Sequence, residues 1–113
     1  MDPRRSVGRR GEEEAARFLR KRGFAILDAN VRSRFGEIDL VARDGKMLVF
    51  VEVKARREGE GDPPQASVTE FKQRRLAQLA QHYLKWKRLG EVSCRFDVVA
   101  VTLDARDRVT ALR

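Results

Sequence analysis

Gly36-Glu37-Ile38-Asp39-Leu40-Val41-Ala42-Arg43-Asp44-Gly45-Lys46-Met47-Leu48-Val49-Phe50-Val51-Glu52-Val53-Lys54 is the stretch on which the fold turns. Ile38 to Ala42 and Met47 to Val53 are short apolar runs, the second rich in β-branched residues, and each reads as a strand. Arg43-Asp44-Gly45-Lys46 joins them, and Asp-Gly is a strong two-residue hairpin signal. With Asp44 and Gly45 as the loop, Arg43 faces Lys46, Asp39 faces Phe50 and Glu37 faces Glu52. Side chains alternate along a strand. Glu37, Asp39, Glu52 and Lys54 then project from one face, with Asp39 and Glu52 as diagonal neighbours roughly 7–8 Å apart. A loop one residue longer turns Asp39 to the other face.

Ionisable groups inside apolar strands are costly unless paired or metal-bound. Directly opposed carboxylates repel each other. A sequence that places acids in this way has a use for them. A hard cation such as Mg²⁺ (or Mn²⁺) takes carboxylate oxygens together with substrate phosphate. Such an ion generates a hydroxide nucleophile and stabilises charge on the phosphate. Lys54, two residues beyond Glu52, can orient the attacking water or stabilise the transition state. The plainer alternative is a solvated face at a sheet edge. Leu48-Val49-Phe50-Val51 speaks against it, because that density of apolar residues fits a central, buried strand.

Outward from the hairpin, Glu12 to Arg22 reads as a helix. Glu12, Glu13 and Glu14 are placed in its first turn and Arg20, Lys21 and Arg22 in its last, which suits the helix dipole; Gly23 stands where a terminating glycine belongs. Pro3, Gly8 and Gly11 leave the helix start open toward Arg4. Glu12 shares a face with Ala15, Ala16 and Leu19 and so points toward the sheet, while Glu13 points to solvent. Phe24 to Leu27 is a short first strand, and Asp28-Ala29-Asn30 is turn-like. Glu58 to Gln65 is a loop rich in glycine, proline and acids. Ser67-Val68-Thr69-Glu70 has the form of a capping box, opening a second helix that runs to about Leu89 with Gly90 as its stop. Arg95 to Leu103 is a fourth strand, with Asp97 expected to contact Arg95, and Arg108 to Leu112 is a short edge strand. The order α, β, β, β, α, β, with a further edge strand, predicts an α/β fold with a mixed sheet, since hairpins pair antiparallel and a helical crossover returns parallel.

The 113 residues fit one domain spanning 1–113. No run approaches the ~20 apolar residues of a membrane span, and the N-terminus lacks the apolar stretch of a signal peptide. The expectation is a cytoplasmic protein with no membrane partner. Cys94 has no second cysteine to pair with, and His82 lacks partners for a zinc site, so a packing or surface role fits it better. Lys plus Arg number 25 against 17 Asp plus Glu, a net charge of +8 that favours a polyanionic partner such as nucleic acid. Arg32 and Arg34 precede the acidic strand, Arg56 and Arg57 follow Lys54, and Lys72 lies one turn before Leu76 on the second helix. These five are the candidate nucleic-acid contacts, rimming an acidic centre as a metal site that must also hold a polyanion requires. Each also reads as an ordinary surface base. Tyr83 and Trp86 are candidates for the core or for a homodimer contact.

Asp39 followed by Glu52-Val53-Lys54 on the next strand resembles the split motif of the PD-(D/E)XK nuclease superfamily. That superfamily has the restriction-endonuclease-like fold with an αβββαβ core. More closely, Gly8-Arg9-Arg10-Gly11-Glu12, Gly36-Glu37-Ile38-Asp39-Leu40, Phe50-Val51-Glu52-Val53-Lys54 and Arg95-Phe96-Asp97-Val98-Val99 resemble the YraN family of small bacterial proteins, in order and over nearly the whole chain. The chain is similar, more distantly, to archaeal Holliday-junction resolvases. The resemblance implies Asp39 and Glu52 as metal ligands, Lys54 as catalytic lysine, Glu12 as a further acid on the first helix, and DNA, branched or otherwise structured, as substrate. It departs from the superfamily in one respect: Ile38 stands where a proline precedes the aspartate. The expected activity is Mg²⁺-dependent hydrolysis of phosphodiester bonds. The alternatives are a nucleic-acid-binding module of the same fold that cuts nothing, and an interaction protein basic only through genome composition.

Overall fold

The computed structural model describes residues 3–59, 70–106 and 109–112, with side chains for 7–59, 70–71 and 73–106. The elements run α1 (Pro3–Lys21), β1 (Ala25–Ser33), β2 (Gly36–Asp44), β3 (Met47–Arg57), α2 (Glu70–Trp86), β4 (Cys94–Leu103) and β5 (Val109–Leu112). The strands form one sheet in the order β1-β2-β3-β4-β5. β3 is central, as its apolar density predicts. It pairs antiparallel with β2 and parallel with β4, so the sheet is mixed and the αβββαβ order holds.

Each helix covers one face. On the α1 side, Ala15, Ala16 and Leu19 pack on Leu40, Ala42, Val49, Val51, Val99, Val101 and Leu103. On the α2 side, Leu79, Ala80 and Tyr83 pack on Ile38, Val41, Leu48 and Phe50. Residues 48 to 51 are buried throughout, because the strand is covered on both faces. Tyr83 also donates its hydroxyl to Asp28 Oδ2 at 2.6 Å, and Lys87 Nζ lies 3.4 Å from the same oxygen, tying α2 to β1. Tyr83→Phe is expected to cost about 1.5–3 kcal/mol, the usual net loss of a hydrogen bond to a charged group, read as a lowered urea midpoint with unchanged slope.

Several boundaries differ from expectation. α1 begins at Pro3, a residue suited to the first helical turn, so its first turn holds no acid. Glu12, Glu13 and Glu14 are mid-helix and do not serve the dipole. Glu14 is buried and pairs instead with Arg10 and Arg17. β1 runs through Asp28-Ala29-Asn30 rather than turning there; as an edge strand it tolerates polar residues. The hairpin loop is Gly45-Lys46, with Asp44 opposite Met47 and Leu40 opposite Val51. Gly45 has φ 61 and Lys46 is not among the positive-φ residues, the pattern of a type II′ turn with glycine at its first central position. α2 ends at Trp86, with Arg88 at φ 54 and Gly90 at φ 64 completing the reversal. Glu60 to Gln65 of the predicted loop, and Ser67, Val68 and Thr69 of the capping box, lie outside the described residues. Tyr83 belongs to the core, whereas Trp86 is exposed. His82 is exposed, with its ring edge against Phe35. Arg95 Nε donates to both carboxylate oxygens of Asp97, as expected. No helix among the described residues is long and apolar enough to cross a membrane.

Candidate metal centre

The centre lies where β2 and β3 part. Their ladder stops at Leu40 and Val51. One step further, Asp39 turns its carboxylate toward β3 and accepts the Val53 amide proton at 2.7 Å. A side chain thus replaces a backbone acceptor and satisfies a donor that the parting strands would otherwise leave open.

A break in the side-chain alternation makes this possible. Ile38 packs under α2 and Leu40 under α1 although they are two residues apart. In a regular strand they would share a face. The slip falls at Asp39. Opposite it on β1, between the pairs Ala29–Leu40 and Val31–Ile38, stands Asn30 at φ 54. Asparagine tolerates this left-handed conformation better than most residues.

The four ionisable residues of the hairpin therefore do not share one face, contrary to the simple alternation. Val53 and Ala55 pack toward α1, so Glu52 and Lys54 stand on the α2 side. Asp39 sits in the gap and meets acids from both directions. On the α1 side, carboxylate oxygens of Glu12, Glu37 and Asp39 lie within 4.8 Å of one another. On the α2 side, Glu52 lines the same cleft of about 240 Å³ as Asp39, together with Gly36, Arg75 and Leu79.

The electrostatics follow from the placement. Burial raises the pKa of Asp39; the Val53 hydrogen bond opposes this, and repulsion from Glu37 and Glu52 adds to it. Burial likewise raises Glu12, with repulsion from Asp39 and Glu37 adding and a hydrogen bond from Asn30 opposing. Three carboxylates gathered this closely form an all-oxygen donor set suited to a hard divalent ion, and a cation between them would relieve their mutual repulsion. Glu12, Glu37 and Asp39 would hold it, with Glu52 approaching from across the gap.

Both raised pKa values mean that the folded state binds these protons more tightly than the unfolded chain does. The ionised pair therefore costs stability at neutral pH, and that cost is relieved as pH falls toward their raised values. In EDTA, the contribution of Glu12 and Asp39 is expected to raise Tm as pH falls from neutrality toward their raised values. With Mn²⁺ present the trend should reverse, because protons then compete with the ion. The Asp39→Asn variant, melted over the same pH series, should show a flatter response than the parent in both buffers.

The structure brings Glu12 and Asp39 together, with Glu52 across the gap and Lys54 two residues further along the same side of β3. From sequence, Asn30 was not singled out as a partner of the centre, and Glu37 was placed on the acidic face without being named a metal ligand. Glu37 is the third close carboxylate; its spacing of two before Asp39 was the available signal. Asn30 looked like part of a turn, and only its tolerance of positive φ hinted at a special position. Of the predicted nucleic-acid contacts, Arg32 and Arg34 are exposed beside the β1–β2 turn; Arg32 lies 3.8 Å from Glu37 and Arg34 stacks over Phe35. Arg56 and Arg57 are half-buried, and Arg57 donates to the Asp104 carbonyl at 3.1 Å. The Lys72 side chain lies outside the described residues.

The αβββαβ core is that of the restriction-endonuclease-like fold class, and acids gather where its second and third strands part. Residues 11–101 match the Uncharacterised protein family UPF0102, also called the YraN family, and the chain belongs to it. A UPF0102 protein of Symbiobacterium thermophilum is 56% identical over 99 residues, covering 86% of this chain and 82% of its own. One of Pelotomaculum thermopropionicum is 50% identical over 111 residues, covering 98% and 92%. One of Syntrophus aciditrophicus is 50% identical over 97 residues, covering 86% and 76%.

Proposed function

We propose that this protein is a Mg²⁺-dependent endonuclease that hydrolyses phosphodiester bonds in DNA, with branched or otherwise structured DNA as its substrate. The observation that carries the reading is the position of Asp39 in the strand gap, its carboxylate within 4.8 Å of those of Glu12 and Glu37 and close enough to Glu52 to feel its charge. A bound divalent ion would supply an activated water and charge neutralisation at the phosphate. The chain's own residues set the conditions for that chemistry. Val53 fixes the Asp39 carboxylate through its amide. Asn30 and the α1 backbone hold Glu12 toward the sheet. Lys54 shares the α2 side with Glu52, where its ammonium would steady a water or the charge developing on the phosphate. The net charge of +8 supports association with a polyanion, and Arg32 and Arg34 are exposed bases beside the β1–β2 turn.

The test is nicking of a panel of four-way junctions, flaps and linear duplexes with Mg²⁺ or Mn²⁺, comparing the parent with Glu52→Ala and Lys54→Ala. Cleavage by the parent that both variants lose supports the reading. Salt-dependent binding without cleavage of any substrate replaces it with the non-cutting binding module. Failure of Mn²⁺ either to bind or to raise Tm removes the metal centre altogether.

A further inference from the structure

A nuclease centre built from carboxylates has a problem of approach, because the acids that hold the ion also repel the phosphate. A cation at the mouth of the cleft would offset that repulsion, and α2 provides one. Arg75 lines the cleft with Glu37, Asp39 and Glu52, yet among the described residues none of these acids forms an ion pair with it. A flexible guanidinium in such surroundings would normally fold onto a carboxylate. Here its Nε donates instead to the Phe35 carbonyl at 2.8 Å. That bond fixes the side chain over the β1–β2 turn. Gly36, at φ 128, supplies the left-handed step of the turn beneath it, and a Cβ there would be in ordinary van der Waals contact with the Arg75 Nε at 3.5 Å. One of the five guanidinium N–H groups is thus committed to the backbone, and the two terminal amino groups remain as a planar fork of the kind that grips phosphate oxygens.

We infer that Arg75 is the phosphate-binding residue of this cleft, its guanidinium held off the acids by the Phe35 carbonyl so that it grips a backbone phosphate of the strand entering the metal centre. The inference rests on the nucleic-acid reading above and adds a specific contact to it. Arg75 acts on binding and is not a ligand of the ion.

The experiment measures binding of a fluorescein-labelled four-way DNA junction across a series of NaCl concentrations. All proteins carry Lys54→Ala, which removes turnover. Arg75→Gln keeps a neutral donor for the Phe35 carbonyl and deletes the charge. Arg75→Lys keeps the charge and deletes the fork. Expected for Arg75→Gln is a Kd weakened by roughly tenfold and a slope of log Kd against log salt reduced by about one phosphate contact. Arg75→Lys should keep the parental slope and bind a few-fold more weakly. Mn²⁺ affinity, measured by calorimetry without DNA, should be unchanged in both, which separates a phosphate contact from a collapsed centre. An unchanged slope in Arg75→Gln beside a parent that binds overturns this inference alone. A parent that shows no salt-dependent binding overturns the nucleic-acid reading and this inference with it.

Discussion

Asp39→Asn should abolish tight Mn²⁺ binding and cleavage while leaving the metal-free fold as stable as the parent or more so. The two halves of that expectation have different origins. The carboxylate is within reach of acids on both sides of the gap, so neutralising it removes a ligand common to both. Loss of nicking by at least 10²- to 10³-fold is the order seen when one preorganised electrostatic group is removed. The amide oxygen of asparagine still accepts the Val53 N–H, so the strand junction keeps its hydrogen bond. Repulsion with Glu12, Glu37 and Glu52 is relieved at the same time. Asp39→Ala should differ in the second half only. It leaves the Val53 amide without its acceptor, a cost of about 1–3 kcal/mol if the group stays dry, set against the same relief. Calorimetric Mn²⁺ titration, junction nicking and urea melts on the two variants decide the matter. If Asp39→Asn bound Mn²⁺ and nicked like the parent, Asp39 would be a strand-pairing residue and nothing more.

The parity of the hairpin was legible in the sequence and its register was not. Reading Asp44-Gly45 as the loop rather than Gly45-Lys46 displaces the pairing by two positions, which leaves every residue on its face. What it changes is who stands opposite whom: Asp39 falls in line with Glu52 instead of diagonal to it. Glycine is compatible with either central position, at the second in a type I′ turn and at the first in a type II′ turn. A dipeptide alone does not choose between them. The slip at Asp39 was less legible still. It depends on Asn30 across the ladder, a residue that follows Asp28 and Ala29 in a turn-like run, although β1 is an edge strand exposed along much of its length. Alternation predicts faces only while the ladder is regular, and the irregular step carries the site. By contrast, β3 was easy to place at the centre, since four consecutive buried apolar residues need cover on both faces. The start of α1 was obscured by Gly8 and Gly11, residues that weaken a helix taken alone.

Gly11 has a tertiary reason to be there, and it yields the second large effect. It is buried on α1, and a Cβ added to it would sit well inside van der Waals contact of the Ala55 Cβ on β3, with Val53 Cγ1 at 3.7 Å. Neither β-carbon can rotate aside, because each is fixed by its own backbone. Relief requires the helix to move off the sheet. Gly11→Ala would gain about 1 kcal/mol of helix propensity, and the enforced separation should cost more than that, as overpacking by even one carbon in a rigid contact typically does, at about 1–3 kcal/mol. The net expectation is a Tm lowered by several degrees, of the order of 5 °C. The functional consequence should be larger than the stability change, since the next residue is Glu12. A shift of about 1 Å at α1 opens the triad of carboxylates, for which Mn²⁺ affinity should fall about 10-fold or more. The compensating change identifies the cause. Ala55→Gly removes the opposing β-carbon, so the double variant should recover Mn²⁺ affinity and most of the lost Tm, less roughly 0.5–1 kcal/mol for glycine in a strand. A coupling energy near zero in that double-mutant cycle would show that the contact does not set the distance from α1 to the metal centre. Recovery would establish that a missing side chain on the helix is what lets its neighbouring acid reach the gap between β2 and β3.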